Sequence, residues 1–335
     1  MTLRPTDNAV LPVMQIPSFR TSLAIARKTE RNLLFRTWGG LGDQICSEPA
    51  IRYGLNHFKD CRVTLASDCP DLFRHLKFVD VIDLKKATPR YDDYFVFEMI
   101  RPVEDLQWEF MSHMLVNCVD FPSLCAFRAM MPVADREINL TPTKPSEDYE
   151  ALVDPRHVYV HAGRHWVSKT FPKDWWDGVI QGLVTVGLKP ILIGADTDDN
   201  RGTVEVETNG CIDLRNKLTP MESVWLLQRA KVLLTNDSSP LHMAASHDPN
   251  EPRTNYTWIG YVASCKHPDF ISHWRHGVWN YREHNFGRGG VWDVIDHCPN
   301  KEHEVSAEFV EETLLRSWLP APSEVVAWTQ DKVQR

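Results

Sequence analysis

Seven consecutive residues, Asn236-Asp237-Ser238-Ser239-Pro240-Leu241-His242, combine a carboxylate, two hydroxyls, an amide and an imidazole in one short stretch. They follow the apolar run Leu233-Leu234 and precede Met243-Ala244-Ala245, so the spacing predicts a strand, a polar turn and a helix beginning near Ser239. Pro240 suits the first helical position, where the missing N–H costs nothing. Ser238 and Ser239 are the expected N-cap residues. Free N–H groups and the positive end of the helix dipole then meet at one turn, an arrangement that favours a phosphate. Asp237 at the strand tip and His242 on the first helical turn would flank it. Read alone, the stretch is also an ordinary capped strand-to-helix turn.

A second chemical stretch lies near the start. Asn32–Thr37 reads as a buried strand, Trp38-Gly39-Gly40-Leu41-Gly42-Asp43 as a glycine-rich turn, and Gln44–Phe58 as a helix. Gly39, Gly40 and Gly42 let backbone approach a ligand closely. The spacing is not G-x-G-x-x-G, so a nicotinamide dinucleotide is not expected. Asp43 falls where strand ends meet helix starts, a place for an N-cap, for a proton acceptor, or for both.

Other candidates lie further along. Lys169 sits in the loop from Ala162 to Pro172, flanked by His161 and His165, which read as packing or solvated residues. Asp196-Thr197-Asp198-Asp199 is the one D-x-D-like run, and such acids more often complement a helix N-terminus than hold a metal. The eight cysteines show no C-x-x-C and no tight Cys/His quartet, so no metal site is expected. Between Trp274 and Arg288, aromatics interleave with bases. Trp274, Arg275, Trp279 and Arg282 would stack on a sugar or a nucleobase and contact phosphate, or else form a Trp-rich surface loop.

These residues need a frame, and the elements supply one. Strands are expected at 32–37, 62–66, 79–84 and 94–98, with a helical stretch at 105–119. Strands at 157–161, 189–193, 211–214, 231–236 and 256–262 then alternate with helices at 173–186 and 219–229, and terminal helices are read at 305–318 and 323–333. Strand–helix alternation implies mostly parallel sheets with right-handed connections. The proline-rich Pro142–Ser146 is the best linker candidate. The division is therefore an N-terminal extension over 1–30, a first α/β domain over 31–145 and a second over 146–335. The last helix would brace the first domain if it crossed back.

Length and composition agree: 335 residues with 43% hydrophobic allow two sizeable cores. Net charge is −8, split −3 over residues 1–150 and −5 over the remainder, against the basic stripe expected of a duplex-binding module. No run of 18 apolar residues is present and residues 1–28 lack the apolar core of a signal peptide, so a cytoplasmic protein with reduced thiols is expected.

Three stretches in register resemble one family, the heptosyltransferases of glycosyltransferase family 9. Gly39–Asp43 with Pro49-Ala50-Ile51 is similar to its N-terminal signature. Gly163 through Lys169-Thr170-Phe171-Pro172 is similar to its "G…K-x-[WF]-P" loop. Asn236–His242 with Ala244-Ala245 is similar to its "N-D-[ST]-G-P-x-H-x-A" motif, with Ser239 where glycine is usual. The resemblance implies the GT-B architecture of the α/β class, two Rossmann-like doubly wound domains facing across a cleft. It implies inverting, metal-independent transfer from a nucleotide-diphosphate sugar, with no resident cofactor. Residue by residue, it gives Asp43 as general base, Lys169 on the donor phosphates, and Asp237, Ser238, Ser239 and His242 around the diphosphate and sugar. It also places Asp196 near the ribose, with Asp198 and Asp199 competing, and Leu218 near the base.

The chemistry fits those residue types. A carboxylate that accepts the acceptor's hydroxyl proton contributes about 10²–10⁴-fold. Fixed donors aimed at the departing diphosphate contribute on the order of 3 kcal/mol each. The favoured acceptor is a glycan of lipopolysaccharide type. The alternatives are a hydroxymethylated base in DNA, as in phage-type enzymes, and a non-catalytic nucleotide-sugar-binding protein. Oligomeric state, sugar and nucleotide are not legible.

Overall fold

Leu33, Leu34 and Phe35 are completely buried in β1 (Asn32–Thr37), the strand from which the first sheet is built. The computed structural model describes residues 32–100, 125–126, 129, 137–164, 170–196, 202–236, 238–252, 257–262, 283–285 and 319–335. β1 lies between β2 (Arg62–Ser67) and β4 (Phe95–Glu98), with β3 (Asp80–Asp83) outside β2, and every pairing is parallel. The order β3-β2-β1-β4 puts a topological switch point between β1 and β4. In open α/β sheets, ligands bind in the crevice at the carboxyl ends of strands at such a point. α1 (Leu41–His57) leaves β1 at this end. It begins three residues before the expected Gln44, with Gly40 as its N-cap and Gly42 in its first turn, and it contains Pro49.

The second sheet has the order β12-β11-β10-β5-β7-β9, again parallel throughout. Its strands are β5 (His157–His161), β7 (Lys189–Leu192), β9 (Ile212–Asp213), β10 (Val232–Asn236), β11 (Trp258–Val262) and β12 (Glu283–Asn285). Apolar side chains alternate between its two faces. Tyr159, Ile191 and Leu233 join the core that runs on to the first sheet, whereas Val158, Val160, Leu192, Val232 and Leu234 join a separate core on the opposite face. Burial on both faces is why these strands read as near-continuous apolar runs rather than as alternation. The order of elements and the two parallel sheets make this a GT-B-type pair of Rossmann-like units.

The helices around the second sheet are α2 (Glu147–Glu150), α3 (Lys173–Thr185), α4 (Pro220–Arg229), α5 (Ser239–Ala245) and α6 (Pro322–Gln334). α4 opens on a reciprocal capping box: Thr219 Oγ1 accepts the Glu222 N–H, and the Glu222 carboxylate accepts the Thr219 N–H at 2.8 Å. α6 packs on α3 rather than crossing to the first sheet. Val326 and Pro322 lie against Gly182 and Gly178, small residues that let the helices approach, and Trp175 Nε1 donates to Pro320 O at 2.8 Å. The loop expected over 162–172 contains a short antiparallel ladder, β6 (Gly163–Arg164) with β8 (Gly202–Thr203). The helices expected over 105–119 and 305–318 lie outside the described residues.

Residues 137–143 run between the two sheets and are gripped from both sides. On the first side, Glu48 accepts the Asn139 N–H at 2.9 Å, Arg52 donates to Glu137 O, and Arg74 donates to Thr141 O and to Thr143 Oγ1. On the second, Leu140 N donates to His247 O, His247 N to Ile138 O, Thr143 N to Met221 O, and Gln228 Nε2 to Leu140 O.

Candidate functional site

The glycine-rich turn after β1 is tied to the tip of β2. Gly39, at φ +87°, donates its N–H to Asp68 Oδ2 at 2.8 Å. Gln44 donates to Gly39 O at 3.1 Å and accepts the Ser67 hydroxyl at 2.8 Å. Gln44, in the first turn of α1, thus ties the loop that precedes the helix to the end of β2. Asp43 is the third residue of that helix, half-buried, and its carboxylate folds back over the N-cap: a methyl at Gly40 would sit 2.8 Å from Asp43 Oδ2. A carboxylate is favoured at this end of a helix because the free N–H groups there carry partial positive charge. Asp43 therefore occupies the helix mouth as an acid of the first turn and not as the N-cap, which Gly40 fills.

The facing turn is built differently from a capped helix. Ser238 holds the N-cap position of α5, but its hydroxyl does not cap. It donates instead to Asn236 Oδ1 at 2.8 Å and lies 3.1 Å from Nδ1 of His161, the last residue of β5. The same Nδ1 is 3.2 Å from Asn236 Oδ1 and 3.3 Å from Thr235 Oγ1. Asn236 Nδ2 donates to Gly163 O at 3.1 Å, closing the network onto β6. His161 is 8% exposed, and burial pulls its pKa from 6.5 down to about 4, so the ring is neutral near pH 7. Gly163 is required here, since a methyl on it would meet His161 Cε1 and Asn236 Oδ1, both at 2.5 Å. Pro240 is the second residue of α5, after Ser239.

The two turns touch. A methyl at Gly42 would lie 2.9 Å from His242 Cδ2, 3.3 Å from His242 Nε2 and 3.5 Å from Ser239 Cα. One turn further along α1, buried Cys46 places its sulfur 3.3 Å from His242 Nδ1. Asp43 thus sits one residue from a glycine in van der Waals contact with the first turn of α5. A carboxylate on α1 and a cluster of hydroxyl, amide and imidazole groups around β5 and the start of α5 are thus carried by elements that meet where Gly42 lies against His242.

Asp196 lies at the end of the segment that follows β7, exposed but fully engaged. Its N–H donates to Asn216 Oδ1 at 2.7 Å, and its carboxylate accepts Asn216 Nδ2 at 3.1 Å and the Thr203 N–H at 3.2 Å. These bonds, from Asn216 first, hold its pKa below the usual carboxylate value. Asn216 takes up the left-handed conformation at φ +59° to make this tie. Leu218 is partly buried against the core just before α4. Lys169, Asp237, Asp198, Asp199, Trp274, Arg275, Trp279 and Arg282 lie outside the described residues. Among the described residues, no three His, Cys, Asp or Glu side chains are grouped to hold a metal.

His161 and Cys46 hold places in this arrangement that the sequence did not announce. A histidine closing an apolar strand next to a G-containing loop was the available signal for His161. Cys46 had none beyond its place one helical turn after Asp43.

Residues 121–250 match the family described as "Glycosyltransferase family 9 (heptosyltransferase)". No curated protein sequence matches the chain significantly. Among solved structures, the fold is shared with a glycosyl transferase family 9 protein from Veillonella parvula DSM 2008, at 11% identity, TM-score 0.54, covering 90% of this chain and 97% of that one. It is shared with the iron-containing dodecameric glycosyltransferase TibC from enterotoxigenic E. coli H10407, at 16% identity, TM-score 0.55, covering 90% and 76%. It is also shared with the E. coli heptosyltransferase WaaC with ADP, at 11% identity, TM-score 0.51, covering 90% and 99%.

Proposed function

We propose that this heptosyltransferase-like glycosyltransferase moves a sugar from a nucleotide-diphosphate donor to an acceptor hydroxyl, with inversion, with Asp43 as general base and without a metal. One observation carries the reading: Gly42 lies against His242 and Ser239, which brings Asp43 to the turn that follows β10. In the proposed step the acceptor oxygen attacks the anomeric carbon while Asp43 takes its proton. The bond from that carbon to the diphosphate oxygen breaks, and the nucleoside diphosphate leaves with the electron pair. A single displacement inverts the configuration.

The departing diphosphate is assigned to Ser238, Ser239 and His242, together with Asp237 and Lys169 from the matching motifs. The Asp196–Asn216 tie holds the strand tip where the ribose is assigned, and Leu218 lies nearby. Solved structures of this fold include a heptosyltransferase TibC in complex with ADP-D-beta-D-heptose and WaaC with ADP, so an adenosine-diphosphate sugar is the first donor to try. The metal-free assignment draws support from the donor set around His161, which is made of neutral amide, hydroxyl and imidazole groups. The acceptor is assigned as a lipopolysaccharide-type glycan, and the compartment as the cytoplasm, where nucleotide sugars are made.

The test is Asp43→Asn in a transfer assay. A loss of about 10²–10⁴-fold in kcat with donor binding retained is expected for a lost general base. Turnover near that of the unaltered chain rejects the assignment. Donor binding without transfer or hydrolysis in the unaltered chain would point to a nucleotide-sugar binder instead.

A further inference from the structure

Trp38 opens the glycine-rich turn. It is half-buried and packs into neither of the two hydrophobic cores. It is nevertheless fixed. Its Nε1–H donates to Glu98 Oε1 at 2.9 Å, and the other oxygen of that carboxylate accepts from Arg36 Nη1, also at 2.9 Å. Arg36 and Glu98 are register partners on β1 and β4, the strands on either side of the switch point. The Arg36 guanidinium lies over the Trp38 ring, 5.4 Å from its centroid, and 5.3 Å from the centroid of Tyr91. Such placements are attractive because the ring face is electron-rich. An indole kept out of the core yet held in one pose loses little further freedom when a ligand settles on it.

The next residues complete the setting. Gly39 is exposed, and a methyl on it would meet nothing within 4 Å, so the space over the turn is open among the described residues. The half-buried Asp68 at the end of β2 gives one oxygen, Oδ2, to the Gly39 N–H at 2.8 Å. Asp43 folds back over Gly40, the following residue. Trp38, Gly39 and Gly40 thus align an aromatic ring, an anchored carboxylate and the assigned base along one short run of backbone. A sugar ring has an apolar C–H face and a rim of hydroxyls. An aromatic face suits the first and a carboxylate the second. Among these residues Asp43, Asp68 and Glu98 stand against the single guanidinium of Arg36, a balance that repels an acidic sugar or a nucleic-acid phosphate.

We propose that Trp38 and Asp68 form an acceptor subsite specific for a neutral sugar. The indole face turned away from Arg36 stacks on the apolar face of the sugar ring. Asp68 accepts hydroxyl protons from its rim and so sets which hydroxyl meets Asp43. This inference rests on the transfer reading above, with Asp43 as the base.

The first test reads binding and not turnover. Nitrogen-15 spectra of the full-length chain resolve the indole N–H signals, and Trp38→Phe assigns the one from Trp38. The neutral probes are the methyl glycosides of glucose, galactose, mannose and N-acetylglucosamine. The anionic probes are methyl glucuronide and a single-stranded oligonucleotide. At least one neutral glycoside should move the Trp38 signal, and neither anionic probe should. Measured by calorimetry, Trp38→Ala and Asp68→Asn should each weaken that glycoside by about tenfold, whereas Trp38→Phe, which keeps an aromatic face, should stay within about threefold. A Trp38 signal that no neutral glycoside moves overturns the proposal, as does one that methyl glucuronide moves equally. Where Trp38→Ala does not fold, the unaltered chain, Trp38→Phe and Asp68→Asn still decide.

The second test separates the subsite from the transfer reading. Trp38→Ala should raise the acceptor KM by about tenfold and change kcat less, since stacking on the sugar is present before and during the reaction. An unchanged acceptor KM overturns the proposal. A chain that binds a neutral glycoside at Trp38 but turns over no nucleotide sugar sinks the transfer reading and keeps the subsite. A chain that transfers a sugar while the Trp38 signal stays unmoved does the reverse.

Discussion

Gly42 and His242 stand so close that a single methyl on the glycine would come within 2.9 Å of the imidazole ring. The contact joins the helix that carries Asp43 to the helix that follows β10. It leaves no room for adjustment, because the ring is also held at Nδ1 by Cys46.

Gly42→Ala should therefore displace His242 and lower kcat, with a destabilisation of about 1–3 kcal/mol from overpacking. Gly187→Ala is the contrast. Gly187, at φ +81° after α3, has open space around it, so its cost is backbone strain alone, about 1 kcal/mol, with kcat unchanged. Thermal melts and steady-state kinetics on both variants check the pair. Equal kcat in the two would show that the Gly42 contact does not matter to turnover.

Glu48 offers a prediction about stability. Its carboxylate is completely buried, pairs with Arg52 at 2.8 Å and His75 at 3.1 Å, and accepts the Asn139 N–H. Glu48→Ala deprives the mostly buried Arg52 guanidinium of its carboxylate, leaving it the Glu137 carbonyl, and breaking a buried pair this way costs about 3–5 kcal/mol. Glu48→Gln keeps an acceptor for Asn139 and should cost less. Urea denaturation of both variants, read as the shift in midpoint, should give that order; the reverse order would discount the charge.

His161 makes a pH prediction. Its folded pKa, about 4, lies below the unfolded value of 6.5, so the unfolded chain binds more protons between those values. Stability therefore falls as pH drops from about 6.5 toward 4, at up to about 1.4 kcal/mol per pH unit. The contribution is fully present above the unfolded value. His161→Asn should be less stable at pH 8 but flatter across that window. Denaturation midpoints at several pH values measure this, and an unchanged slope would remove His161 from the acid response.

Much of this frame was legible in the chain itself. β1 and β5 fall where their apolar runs begin and end, and α4 starts after the Thr219 cap that pairs with Glu222. The start of α1 was not legible. Gly40-Leu41-Gly42 has the composition of a loop, yet it forms the cap and first turn because only glycine fits beneath His242. Ser238 was expected to cap α5 by type. Its hydroxyl is instead drawn to Asn236, two residues back, and to His161, which the fold brings from far away in sequence. Cys46 looks like an ordinary core residue until α1 meets α5, and His161 until β5 pairs with β10. β6 and β8 are too short for any periodicity to reveal.

Residues 137–143 connect the two sheets, yet they are fastened like a splint. Glu48, Arg52 and Arg74 hold one edge, and His247, Met221 and Gln228 hold the other. A strip secured along both edges does not bend in its middle. For the two halves to part, one edge must come undone first. The Arg74 bonds to Thr141 and Thr143 lie exposed, whereas the Glu48 bond is buried, so the outer stitches release at lower cost. The hold of one sheet on the other is thereby linked to a few surface hydrogen bonds that urea or a single arginine substitution can loosen without touching Asp43.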